Sequence, residues 1–294
     1  MLQPKIKFNL LFMVYVLILI NSCTKENSSN KTKSNTFIEN QFLDKKYDEV
    51  CFLTTHNAMN NKVKGFTIPN QTFSITQQLN DGVRCLMLDT YDGADGVALT
   101  YHTLPQLGSQ KLVDAMQEIK SFLTQHPKEV VTIIFQNDGS NTQLQQAIDS
   151  ISLSTMTYTH TNNTPFPTMQ TMVDNNQRLV LFVENDKRPR ASYLMHAWKT
   201  IFDTKYTYSN INQFDSNINR GGSGTKELYL INHWLGGTLG LPDSTLAPIA
   251  NKRSVVSKRV QDCAVANSHF INFLGVDFYH IGDAKAVVDS INGL

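Results

Sequence analysis

Histidines, carboxylates and amides recur at the same end of short apolar runs in this chain. Thr55-His56-Asn57 follows the run 50–54, Asp89-Thr90-Tyr91-Asp92 follows 84–88, and His102 follows 97–101. Gln136-Asn137-Asp138 follows 130–135, Glu184-Asn185-Asp186 follows 179–183, and Asn232-His233-Trp234 follows 228–231. Asp277 lies in the last run, 273–278, just ahead of Tyr279 and His280. Two histidines with carboxylates suit phosphodiester chemistry. One imidazole takes a proton from an attacking hydroxyl and the other gives one to the leaving oxygen, since the unperturbed pKa of about 6.5 permits both near neutrality. A carboxylate behind an imidazole fixes its tautomer and favours its charged form. The transition state gathers negative charge, so the chemistry also calls for a cation: an arginine, a lysine or a metal.

These residues need a frame. The apolar runs, with a further one at 205–208, are nearly continuous and β-branched, the pattern of strands buried on both faces. Helical patterns lie between them at 109–124, 142–150, 191–202, 246–266 and 283–291; Leu112, Met116, Ile119 and Leu123 keep helical spacing in the first. Strands alternating with helices predict a parallel sheet. About eight strands in roughly 250 residues predict a closed α/β barrel of the TIM type more than an open sheet. No glycine-rich dinucleotide loop follows the first strand, which argues the same way. Such a barrel carries its active site at the C-terminal ends of its strands, where the polar residues above collect.

The chain has 294 residues, 17% of them charged, and a formal net charge of +1. That composition excludes a disordered chain and gives no basic surface for nucleic acid. Lys5 and Lys7 precede an apolar run at 10–20 that is shorter than the ~20 residues of a spanning helix. It fits a secretory signal, and Ile20-Asn21-Ser22-Cys23 resembles a bacterial lipobox. Residues 1–22 are thus expected to be a lipoprotein signal, 23–40 a lipidated Cys23 with a polar tether, and 41–294 one folded domain. The remaining cysteines, Cys51, Cys85 and Cys263, are expected as buried thiols.

The motifs resemble the X region of phosphatidylinositol-specific phospholipases C. The resemblance rests on Thr55-His56-Asn57, Gly82-Val83-Arg84 through Leu88-Asp89, Tyr101-His102, Phe122 through Ile134, and Asn272 through Tyr279. It implies a single-domain, distorted (β/α) barrel. It also implies that His56 is the general base on an inositol hydroxyl, His102 the general acid, and Asp277 the group that orients His56, with an inositol cyclic phosphate as product. Arg84, early in its strand, is expected to make a structural ion pair. Calcium-independent members of the family carry an arginine where Asp89 stands. Calcium-dependent members carry an acid there, with others two residues earlier and at the end of strand four. Here those positions hold Met87 and Gln136. Met87 also removes the carboxylate that bacterial members use behind the second histidine. Asn57, Asp89 and Gln136 then imply a weak calcium site, to which Glu184 could add a carboxylate.

The basic stretch Lys187-Arg188-Pro189-Arg190 reads either as a solvated charge cluster or as contacts to phosphate and anionic head groups. Lys187, Arg188 and Tyr279 are the substrate-binding candidates. The glycine-rich loop from Trp234 to Leu241 reads equally as a membrane-dipping loop or as one packed on the barrel. His126, His160 and His196 read as packing or surface residues. The expectation is a monomeric, lipid-anchored phosphodiesterase of the cell envelope that acts on phosphatidylinositol-type phospholipids. Two alternatives stand beside it: a degenerate barrel that binds inositol head groups, and a phosphodiesterase for other glycerophosphodiesters.

Overall fold

The buried apolar runs form the strands of one curved sheet. The computed structural model describes residues 42–222 and 226–294. Its main strands are β1 (Phe52–Thr55), β2 (Cys85–Tyr91), β3 (Leu99–Thr100), β4 (Val131–Asn137), β5 (Leu179–Val183), β6 (Ile201–Thr204), β7 (Ile218–Arg220), β8 (Leu228–Asn232) and β9 (Phe273–Val276). Around the sheet the order is β7-β6-β8-β9-β1-β2-β4-β5, ending on a short strand at Thr157–Tyr158. Neighbours from β6 to β5 along this path are parallel. The principal helices are α1 (Ile75–Asn80), α2 (Leu112–Gln125), α3 (Asn141–Asp149), α4 (Met169–Asp174), α5 (Arg253–Asn267) and α6 (Ala284–Asn292). The architecture is the expected single-domain α/β barrel in distorted form. No hydrogen-bonded pairing joins β5 to β6 among the described residues, so the cylinder is open along that seam.

Register places the polar strand ends side by side. Thr55 pairs with Val276 across β1 and β9, so the next residues, His56 and Asp277, emerge together. Asp89 lies opposite Gln136 and Thr90 opposite Asn137 across β2 and β4. At the other end of β2, the Arg84 Nε donates to Glu129 Oε2 at 2.8 Å, with side-chain exposures of 1% and 0%. Its Nη1 also caps the carbonyls of Leu79 and Val83 at 2.6 and 2.7 Å. This is the structural ion pair expected of Arg84. Removing either partner would strand a buried charge at a cost of about 3–5 kcal/mol.

Several expectations need correction. Residues 205–208 form no strand; the strand is β6, four residues earlier, in a stretch expected to be helical. Ile201, Phe202, Asp203 and Thr204 are all buried, and only Ala197–Thr200 is α-helical in the expected 191–202 helix. The 97–101 strand shrinks to β3, which pairs antiparallel with β2 and with Gln110–Lys111, so it is a hairpin arm and not a barrel stave. The 246–266 helix is broken into Ala247–Ala250 and α5. Helices α1 and α4 escape a periodicity reading because each spans six residues, although Ser74 and Thr168 cap them through N–H acceptance in the usual way. Cys51, Cys85 and Cys263 are buried free thiols, as expected. Among the described residues no helix is long and apolar enough to cross a membrane.

Candidate active site

The two histidines expected to move protons face one cavity of about 250 Å³ at the C-terminal ends of the strands. Each has a carboxylate behind its Nδ1. His56 Nδ1 lies 2.9 Å from Asp277 Oδ1, and His102 Nδ1 lies 2.9 Å from Asp89 Oδ2. With Nδ1 protonated, each ring donates to its carboxylate and turns Nε2 to the chemistry. The ring centroids stand 6.4 Å apart in an edge-on arrangement, so a group can sit between them.

Asp89 thereby takes the place that Met87 was expected to leave vacant. The second histidine has its carboxylate, supplied from two residues further along β2. Met87 lines the cavity as an apolar wall.

Two asparagines join the pairs. Asn70 Nδ2 donates to Asp277 Oδ1 at 3.0 Å, and Asn57 Nδ2 donates to Asn70 Oδ1 at 3.3 Å. Asn57 Nδ2 also lies 3.0 Å from His102 Nδ1. A bare Nδ1 accepts from Asn57 and a protonated one donates to Asp89, so the two contacts alternate with the tautomer. Asn57 sits at φ 47°, in the left-handed region that asparagine tolerates better than most residues. Asn70 was not foreseen. It lies in a long irregular segment with no periodicity to mark it.

Trp234 stacks on His56, with centroids 3.8 Å apart and planes within 8°. The ring is packed on the barrel and is 8% exposed. Gly275 makes the room: a Cβ there would stand 3.3 Å from the Trp234 ring and 3.4 Å from the Ile231 carbonyl. Aromatic stacking contributes about 0.5–1.5 kcal/mol beyond burial and limits rotation of the imidazole.

The charge in the rest of the cavity comes from an unforeseen residue, Arg220, on hairpin strand β7. Its Nη1 donates to Glu184 Oε2 at 2.8 Å and its Nε to Asp203 Oδ2 at 2.9 Å. The guanidinium also stacks 4.2 Å over Trp198 and 4.8 Å over Tyr206. Burial pushes the Glu184 carboxyl up to about 7, against the opposing pull of Arg220. Gly221 and Gly222, both at positive φ, follow β7 directly.

The structure separates the remaining candidates. Gln136 lines the cavity, with its Nε2 donating to Asp138 Oδ2 at 3.2 Å. Lys187, Arg188 and Tyr279 do not line it. Lys187 Nζ is spent on the carbonyls of Asp138 and Gly139 at 2.7 and 2.8 Å. Arg188 faces Asp186 at 3.6 Å beside a different cavity. Phe278, at φ 45°, turns the chain so that the buried Tyr279 donates its hydroxyl to Asp81 at 2.6 Å. His233 is fully buried, with Nε2 donating to the Ala250 carbonyl. Cys23 lies outside the described residues.

Calcium requires six to eight oxygens, with carboxylates favoured. Here Asp89 is engaged by His102, the Asn57 amide nitrogen is turned to His102 and Asn70, and Glu184 is held by Arg220. Among the described residues no three His, Cys, Asp or Glu side chains are grouped to hold a metal. One oxygen of each carboxylate, Asp89 Oδ2 and Glu184 Oε2, thus already serves the histidine or the arginine.

Comparison with known proteins gives the family and the fold. A family model described as PI-PLC X 1 matches residues 42–292. A PI-PLC X domain-containing protein 1 from Arthroderma benhamiae is 27% identical, over 86% of this chain and 88% of that protein. A PI-PLC X domain-containing protein from Arabidopsis thaliana is 25% identical over 84% of this chain, which spans 62% of the plant protein. In fold, the phosphatidylinositol-specific phospholipase C of Listeria monocytogenes superposes with a TM-score of 0.61, at 17% identity, over 88% of this chain and 98% of that one. On the strength of the match across 42–292, this chain belongs to the PI-PLC X domain family.

Proposed function

We propose that the cavity cleaves a phosphodiester by acid–base catalysis between His56 and His102. His56 Nε2 takes the proton of a head-group hydroxyl beside the phosphate. The freed oxygen attacks phosphorus, forming a cyclic phosphodiester as the bond to the leaving alcohol breaks. His102 Nε2 gives its proton to that leaving oxygen. Asp277 and Asp89 stabilise the imidazolium that each ring becomes or begins as. The observation that carries this reading is the pair of carboxylate-backed imidazoles facing one another across one cavity. The same observation supports turnover over mere head-group binding, because Asp89 supplies what Met87 lacks.

The substrate class is a phosphatidylinositol-type lipid, by likeness to the fold of the Listeria enzyme and by the cavity's polar far wall. Arg220 and Glu184 present donors and acceptors suited to the hydroxyls of a polyol head group. Charge neutralisation falls to the His102 imidazolium, since Arg220 is already paired with Glu184 and Asp203. The anchor proposal at Cys23 places this activity at the cell envelope, since several acyl chains at about 0.8 kcal/mol per buried CH₂ hold a protein firmly.

The test is product identity. Purified protein is incubated with phosphatidylinositol in mixed micelles and products are read by phosphorus NMR. An inositol cyclic phosphate with diacylglycerol is expected. Glycerol phosphate would identify a different phosphodiesterase, and unchanged lipid would remove this substrate.

A further inference from the structure

The loop after β5 builds a second cavity, of about 180 Å³, that shares no lining residue with the first. Arg188 and Arg190 line it from the loop, His196 from the following two-residue strand, and Lys199 from the short helix at Ala197–Thr200. The charges there do not balance. Arg188 and Arg190 share one carboxylate oxygen, Asp186 Oδ1, at 3.6 and 3.2 Å. The Arg190 side chain is only 6% exposed, so water screens little of its charge. The nearby Glu227 is already held by His160, Asn162 and the Asn163 amide. His196 Nδ1 is buried and has no hydrogen-bond partner among the described residues. Burial lowers the basicity of His196, and Arg190, Lys199 and Arg188 push the same way while Asp186 opposes.

We propose that this second cavity binds a phosphate group, gripped by the guanidiniums of Arg188 and Arg190 and the Lys199 ammonium, with the His196 ring on its wall as a reporter. Guanidinium forks match the oxygens of a phosphate and an ammonium adds a point charge. An oxyanion there would balance the excess positive charge around Arg190. The phosphate can come from a soluble phosphate compound or from the head group of an anionic lipid. The site is independent of the catalytic proposal, because neither cavity contributes a residue to the other.

The experiment follows the histidine ring signals of the full-length, nitrogen-15-labelled protein by NMR, with His196→Gln assigning the His196 signal. Inorganic phosphate is the soluble probe. A saturable shift of the His196 signal is expected, weakened at least about tenfold in Arg190→Gln/Lys199→Gln, while the His56 and His102 signals respond as in wild type. The exposed Arg188→Gln variant should weaken the shift without touching buried structure. Vesicles of phosphatidylcholine with phosphatidic acid separate the two sources. If the natural phosphate is a lipid's, the double variant binds these vesicles less and inorganic phosphate competes with them. If it is soluble, vesicle binding is the same in both proteins while the shift by inorganic phosphate remains. No saturable His196 shift, or an equal affinity in the folded double variant, overturns the proposal.

Discussion

Asn57 Nδ2 donates to Asn70 Oδ1 at 3.3 Å, and this contact connects the two histidine–carboxylate pairs. From Asn70 the hydrogen bonds run on to Asp277 and His56. When His102 Nδ1 is bare, Asn57 donates to it and the two pairs are joined by amides that cannot titrate; when Nδ1 is protonated, it donates to Asp89 and the link opens. Such a chain holds geometry without adding charge, and each member polarises the next.

Asn70 should act as a positioning residue. It is 1% exposed and gives Asp277 Oδ1 its second donor, besides His56. Hydrogen bonds to charged groups contribute about 1.5–3 kcal/mol, so Asn70→Ala should lower kcat by roughly ten- to a hundredfold. KM should hardly change, and Asn70→Asp should not restore the rate, since it replaces a donor with a second negative charge. A variant that loses only thermal stability, at wild-type kcat, would make Asn70 purely structural.

Replacing either histidine should cost more. His56→Ala and His102→Ala should each lower kcat/KM at least ~10²-fold, the scale of general acid–base catalysis. Both side chains are partly exposed, at 19% and 29%, so the fold should survive. Wild-type turnover in a folded His102→Ala protein would eliminate the acid–base pair.

Asp89 decides between two accounts of the missing cation. Placed 2.9 Å from His102 Nδ1, it is positioned to orient that ring, which on the proposed mechanism needs no metal. Activity should therefore persist in a chelator, and Asp89→Asn should fall in rate at least ~10²-fold, as loss of a correctly held imidazole predicts. Added calcium should not rescue it. Loss of activity in chelator, with recovery on adding calcium, would return Asp89, Asn57 and Gln136 to the role of ligands.

Legibility of the site followed burial. Strands β1, β2, β4, β5, β8 and β9 are buried along nearly their whole length, so they read as continuous apolar runs, and the residues just beyond them were placed correctly. His56 with Asp277 follows from that placement. Strand β6 did not, because Asp203 interrupts its apolar run; it is buried only because Arg220 and Asn232 reach it. Missing β6 hid Arg220, whose strand pairs with it. The partner of His102 was misread for a different reason: one strand position, Met87 or Asp89, looks much like another until side-chain direction is known. Lys187 and Arg188 were drawn to the site by charge alone, which carries no direction.

Two buried groups should shape stability against pH from opposite sides. His233 is completely buried, and burial lowers its pKa from 6.5 to about 4. Between those values the unfolded chain binds a proton that the folded one refuses, so stability falls as pH drops from 6.5 towards 4. Glu184 runs the other way. Burial raises its pKa from 4.5 to about 7, so in that window the folded chain holds the extra proton and stability falls as pH rises. Glu184→Gln cannot titrate. Thermal unfolding should show it losing ground to wild type near pH 5 and recovering it near pH 8, where wild type carries the ionised carboxylate. His233→Gln should instead flatten the acid flank and leave the alkaline one unchanged. The Arg220 contact is weakened at every pH by Glu184→Gln, so the decisive quantity is the change in its Tm offset with pH and not the offset itself. An offset that stays constant from pH 5 to pH 8 would mean that Glu184 is ionised throughout.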